Sequence, residues 1–267
     1  MILVVRSLLL IFLLVGCQQV TYTSADGEIY GTTYKYHIVH PKNEELDPLI
    51  VDKINNELKR IDLIFSTYKN DSEVLNTSIE EMDTWSEDLK YLYDLSLNVS
   101  KKSENAFNPI KNSELDFSAI AKGYAVDKVA EIMIRNGILN YFIEIGGEIK
   151  AKGLAHHQGN WRWAIEDPFS FNPKAFKSFL IPSEGLSIAT SGEYKNPGHI
   201  WGDGPRDIAN VTVLHANAAS ADAWATAMYV LGSEKGLKLA ESEQIAVFFI
   251  KKDGATINST EWSNIYP

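Results

Sequence analysis

The sequence predicts a single α+β domain of mixed, largely antiparallel sheets with flanking helices. Strand-like and helix-like patterns are interspersed without a regular βαβ rhythm. Neither a G-x-G-x-x-G turn nor a P-loop occurs among them. The 267 residues are 45% hydrophobic and 22% charged, the balance of a chain that buries a core and has little room for long disordered stretches. No repeat of fixed period, low-complexity tract or linker divides the chain after its first residues.

Residues 1–17 read MILVVRSLLLIFLLVGC. Arg6 precedes an apolar run of about ten residues, too short for the ~20 that cross a bilayer, so the segment reads as a secretory signal. Its close, Leu14-Val15-Gly16-Cys17, resembles a bacterial lipobox, which implies cleavage before Cys17 and lipid on its thiol. Cys17 is the single cysteine, so no intramolecular disulfide or cysteine-rich metal site can form. The predicted organisation is a signal peptide over 1–16, a polar tether over 17–28 and a folded domain over 29–267. The last of these is expected to start near Tyr30.

Tyr30, Thr32, Tyr34, Tyr36 and Ile38 alternate at period two, the signature of a half-buried strand. Asp47-Pro48 then supplies a cap and an N1 proline before Ile50, Ile54, Leu58, Ile61 and Phe65 at helical spacing. Thr84 and Glu87 have capping-box spacing ahead of a helix through Leu89, Leu92, Tyr93 and Val99. A third helix covers Ser118 to Asn136 and stops at Gly137. Tyr141 to Ile145 is a strand that turns at Gly146-Gly147 into Glu148 to Ala151. Further strands are expected at Trp161 to Ile165, Ala175 to Ile181, Val211 to Leu214 and Ile245 to Ile250. A helix from Ser220 to Leu231 stops at Gly232 and is followed by a shorter one from Glu234 to Glu241.

With 25 Lys+Arg against 35 Asp+Glu the net charge is −10, which excludes non-specific nucleic-acid binding by bulk charge. Three clusters carry chemistry. Asp222 and Thr226 stand four apart on one helical face and offer hard oxygens to Mg²⁺, or serve the helix dipole and a carbonyl. Asp116 to Asp127 turns a strand end into a helix start, where main-chain N–H groups and Lys122 can meet an anion, unless Lys122 is simply solvated. Ile188 to Tyr194 reads as a small, hydroxyl-rich turn ahead of His199, and His156-His157 as a loop pair with weak metal-binding character.

In order along the chain, several segments resemble the ApbE family of FAD:protein FMN transferases. They are Gly31-Thr32-Thr33-Tyr34, Ser66 to Glu73, Ala106-Phe107-Asn108-Pro109, Asp116 to Asp127, Glu144 to Glu148, Thr190 to Tyr194, and Ala221 to Ala227. The resemblance implies an extended FAD cleft, Mg²⁺ on the pyrophosphate, and transfer of FMN to a Ser or Thr hydroxyl of an acceptor flavoprotein with release of AMP. By motif position it makes Asp222, Thr226 and the main-chain oxygen of Ala119 the metal ligands. It assigns Tyr30, Tyr68, Ala106, Phe107, Asn108, Asp116, Lys122 and Trp201 to FAD, and His199 to proton transfer. It also implies a lipid-anchored protein of the bacterial membrane, facing the periplasm or the cell exterior. Two departures stand out. Only Ile110 to Leu115 separate segments that the family usually spaces by tens of residues, and His199 to Pro205 lacks the family's Asp-Pro and Thr-Gly. Hydrolysis of FAD, or FAD binding without chemistry, are the alternatives these departures leave open. Gly254-Ala255-Thr256 resembles the end of an acceptor motif but reads as part of a hairpin turn.

Overall fold

Eight strands, all paired antiparallel, form one sheet whose two faces carry different layers. The computed structural model describes residues 20–43, 45–155 and 159–267. Cys17, the signal segment and His156-His157 lie outside the described residues. The strands of the sheet run in the order β1 (Val20–Ile29), β2 (Thr32–Pro41), β5 (Tyr141–Ile145), β6 (Glu148–Lys152), β9 (Leu186–Gly192), β10 (Ile208–His215), β11 (Ala246–Lys251) and β12 (Thr256–Asn258). A two-residue hairpin joins β3 (Ile110–Lys111) to β4 (Glu114–Leu115), and a longer one is made by β7 (Arg162–Glu166) and β8 (Ala175–Leu180).

Alternation along the strands sends neighbouring side chains to opposite cores. On one face Tyr36, Ile143, Val211, Val213, Val247 and Phe249 pack with α1 (Ile50–Phe65), α2 (Glu87–Lys102), α3 (Ala121–Arg135) and α4 (Ala218–Ser242). On the other, Val39, Phe142, Leu214, Phe248 and Ile250 meet Trp161, Trp163 and Phe179 of the β7–β8 hairpin and Trp262 of α5 (Thr260–Ile265). Gly232, at φ 75°, breaks α4 where the sequence predicts a stop. No helix among the described residues is long and apolar enough to cross a membrane.

Four expectations are corrected. Residues 20–28 are not a tether: Val20 to Ile29 pair with β2 along their whole length, from Val20 opposite Pro41 to Ile29 opposite Thr32. The half-buried set of β1 includes Thr21, Thr23, Ala25 and Gly27, so main-chain pairing holds this edge strand without an apolar signature. Tyr30 and Gly31, both at positive φ, are therefore the turn between β1 and β2 and not the start of the fold. The segment read as a hydroxyl-rich turn belongs to β9, where Thr190 Oγ1 lies 2.9 Å from Thr212 Oγ1 directly across the ladder. Finally, α2 is capped by Ser86, which accepts the Leu89 N–H at 3.2 Å, and not by Thr84, whose hydroxyl donates to the Glu81 carbonyl.

The hairpin expected at Asp253-Gly254 is present, with β12 returning along β11. Gly254-Ala255-Thr256 is thus turn and strand. The short Ile110–Leu115 connection is also a closed structure, since Asn112 and Ser113 at positive φ make a tight turn between β3 and β4.

Candidate active site

The site is built where α3 crosses the start of α4. Ala218, Ala219, Ala221, Ala223, Ala225 and Ala227 are all buried, and these small side chains let the two helices and the sheet approach closely. Contact is closest at Gly123, where a Cβ would lie 2.3 Å from the Ala218 carbonyl oxygen. Its N–H donates to Asp222 Oδ2 at 3.0 Å. Gly123 is the third residue of α3, and its N–H, one of the first-turn donors that have no partner inside the helix, is taken by this carboxylate. Asp127, one turn further on, accepts the Ala218 and Ala219 N–H groups at 3.0 Å each and the Lys150 ammonium at 2.6 Å. It caps α4 and so fixes the start of the helix that carries Asp222.

The electrostatics of this junction are unusual for a buried place. Asp222 is 4% exposed and Glu148, on the first position of β6, is 3% exposed. Lys122 reaches Glu148 Oε1 at 2.7 Å. It is therefore half of an ion pair and not a solvated surface lysine. Burial pulls the Lys122 ammonium down, but Glu148 and Asp222 outweigh it and hold it up at about 12. Burial pushes the Glu148 carboxyl up against the pull of Lys122, and does the same to Asp222 against Lys122 and the Gly123 N–H.

Thr226, half-buried one turn after Asp222, has its hydroxyl 3.3 Å from Ser191 Oγ of β9. Among the described residues no three His, Cys, Asp or Glu side chains form a metal-holding group. The predicted set is instead one carboxylate, one hydroxyl and one carbonyl, all hard oxygens of the kind Mg²⁺ takes.

The loop from Glu193 to Asp207 covers the next turns of α4. Glu193 accepts the Ile200 N–H and the Tyr229 hydroxyl, each at 3.3 Å, and pairs with Arg206 at 3.4 Å. Arg206 in turn donates to the Ile200 and Gly202 carbonyls, and its guanidinium sits 5.6 Å from the Tyr229 ring centre. The strapped loop holds His199 at the surface and Trp201 half-buried. His199 Nδ1 bonds to the Asn196 carbonyl. A carbonyl only accepts, so Nδ1 carries the proton and Nε2 is the basic nitrogen of the neutral ring.

The remaining predicted residues separate into exposed and structural ones. Tyr68 is 89% exposed on a turn pinned by Ser66 Oγ, which accepts the Tyr68 and Lys69 N–H groups at 3.2 Å. Ala106 and Asn108 are half-buried, and Asn108 Oδ1 accepts the Ile110 N–H. Asp116 Oδ1 accepts both the N–H and the hydroxyl of Ser118, which shapes the turn before α3. Phe107 is 2% exposed, with its ring inside the helical core. Tyr30 packs on the same core and donates its hydroxyl to the Leu58 carbonyl at 2.9 Å, anchoring the first hairpin to α1. Sequence reasoning missed Glu148, Glu193 and Arg206 as site residues and took Asp127 only as the end of a motif. Glu148 directly follows a Gly-Gly turn, the one local sign that its position matters. A groove lined by Lys53, Glu57, Arg60 and Arg135 includes none of these residues.

Comparison with known proteins gives a consistent result. The family model described as ApbE family matches residues 30–112 and 109–249. The two stretches meet at the β3–β4 hairpin, the place of the shortened connection. A FAD:protein FMN transferase of Vibrio cholerae is 39% identical over 153 residues, covering 52% of this chain and 45% of that protein. One of Haemophilus influenzae is 32% identical over 171 residues, so the chain spans about half the length of these relatives. One of Salmonella typhimurium is 25% identical over 321 aligned positions, covering 91% of this chain and 90% of that protein. That alignment is longer than the chain, so the relative carries residues that this chain lacks. Among solved structures, the flavin transferase ApbE from Vibrio cholerae superposes with a TM-score of 0.80 at 25% identity, covering 92% of this chain and 99% of that one. The apo form of the Pseudomonas stutzeri flavinyl transferase ApbE gives 0.79 at 25% identity, covering 94% and 98%.

Proposed function

The chain belongs to the ApbE family, and we propose that it transfers FMN from FAD to a Ser or Thr hydroxyl of an acceptor flavoprotein, releasing AMP. The observation that carries this reading is the α3–α4 junction, where the buried Asp222 carboxylate accepts the Gly123 N–H in the first turn of α3, the turn that the Ala119 carbonyl leads into. With Thr226 one turn on, these oxygens fit Mg²⁺. When bound, the metal would offset the diphosphate charge and stabilise the AMP leaving group.

The protein's own groups do the rest. Tyr68, exposed on its pinned turn, offers a ring for the isoalloxazine to stack on. Lys122 supplies positive charge beside the pyrophosphate end. His199 Nε2 takes the proton from the acceptor hydroxyl as the Oγ–P bond forms at the FMN phosphorus and the bond to the AMP phosphate breaks. The Glu193–Arg206 strap keeps His199 in place above α4. Lipid on Cys17 would hold the protein at the membrane. A Cys17→Ser variant is expected to stay uncleaved and unlipidated by mass spectrometry.

The test is to incubate the protein with FAD, Mg²⁺ and a candidate acceptor, weigh the acceptor and assay AMP. Added FMN mass with matching AMP is expected, and His199→Ala should slow transfer by ~10²-fold or more while FAD still binds. Free FMN and AMP without covalent flavin would favour hydrolysis. FAD binding with no AMP would reject catalysis altogether.

A further inference from the structure

Glu148 uses only half of its carboxylate. Oε1 holds the Lys122 ammonium at 2.7 Å, while Oε2 is buried with no hydrogen-bond partner. A buried carboxylate oxygen left unpaired carries a desolvation cost that nothing on the protein offsets. The charge count points the same way. Glu148 and Asp222, both buried, act on one Lys122, and Lys150 is engaged with Asp127. With both carboxyls ionised, one negative charge in the junction has no protein counter-charge.

We infer that Glu148 is a fourth protein group of the cation site, with Oε2 completing the shell of a divalent ion either directly or through a bound water. This rests on the proposed metal site at Asp222 and Thr226. Lys122 neutralises one of the two carboxylates and the divalent ion the other. Glu148 then has two roles, holding Lys122 through one oxygen and binding the ion through the other.

The probe is Mn²⁺ alone, added to the full chain without FAD and followed by the electron paramagnetic resonance of the free ion. Glu148→Gln is expected to weaken Mn²⁺ binding ~10-fold or more. Glu144→Gln, whose carboxylate pairs with Lys35 on the exposed side of the sheet, should leave it unchanged. Lys122→Met removes a competing cation and should tighten binding. The deciding comparison is Glu148→Gln in the Lys122→Met background. A further loss there supports a place in the shell, whereas no loss means Glu148 acts only by restraining Lys122 and overturns the inference. If Glu148→Gln melts before it can be titrated, Lys122→Met decides alone, and unchanged or weaker Mn²⁺ binding overturns it. Wild-type protein that binds no Mn²⁺ would reject the metal site as well. Normal wild-type binding that Glu148→Gln leaves intact would reject only the role of Glu148.

Discussion

The two faces of the sheet are packed by different means. On the hairpin side, Trp163, Phe179, Phe248, Trp262 and Tyr266 stack and edge one another with ring centroids 4.6 to 6.4 Å apart. The helical side instead brings backbones together over alanines and Gly123, and it holds the buried carboxylates Asp62, Glu148 and Asp222. Aromatic burial contributes much stability per residue, and the charge that approaches these rings is the exposed Lys177, whose ammonium lies over Phe179 and Phe248. Small residues contribute less, but they leave room for charged groups to be buried against one another at a helix start. Dense aromatic packing is concentrated on one face and the buried carboxylates on the other.

That division can be broken by substitution. The largest stability loss is expected for Trp262→Ala, about 3–5 kcal/mol by denaturant unfolding, with Mn²⁺ and FAD binding of the folded fraction unchanged. Gly123→Ala should lose about 1–3 kcal/mol, because its Cβ meets the Ala218 carbonyl, and should weaken Mn²⁺ binding as well. A loss of stability without a loss of metal binding would mean that the close approach does not position Asp222. Asp127→Ala removes the cap of α4 and is expected to lose about 0.5–2 kcal/mol.

The smallest effect expected is a pH effect on the helical face. Asp88 lies between Arg60 and Tyr124, and although burial pushes its carboxyl up, their hydrogen bonds and the charges of Arg60 and Lys128 hold it below the ordinary range. A carboxyl depressed in the folded state stabilises the protein above its unfolded pKa of ~3.9, and that contribution is lost as pH falls through the folded value. Asp88→Asn should therefore flatten the acid limb of a melting-temperature profile below pH ~4 and leave the neutral and alkaline parts parallel to wild type.

Legibility in the sequence followed the same division of the molecule. Helices with strong apolar periodicity, such as Ile50 to Phe65, and the break at Gly232 could be read directly. So could the Asp222–Thr226 spacing, although spacing alone left it open whether they serve a metal or the helix. Strand β1 could not be read, because its half-buried positions include threonine, alanine and glycine and its stability comes from pairing with β2. The Lys122–Glu148 pair joins residues 26 positions apart across a strand and a Gly-Gly turn, and no local pattern announces it. Phe107 shows the converse: its motif position implies a place along the cleft, and only tertiary packing reveals that its ring lies in the core.

The central claim, that the charged junction of α3 and α4 is a metal-dependent FAD site, is tested most directly by calorimetric titration of FAD with Mg²⁺ and with chelator. Wild type and Trp262→Phe should bind FAD more tightly with Mg²⁺, and Asp222→Asn should lose about 10-fold or more of that affinity. Equal FAD affinity with and without the metal, or an Asp222→Asn curve that overlays wild type, would contradict it.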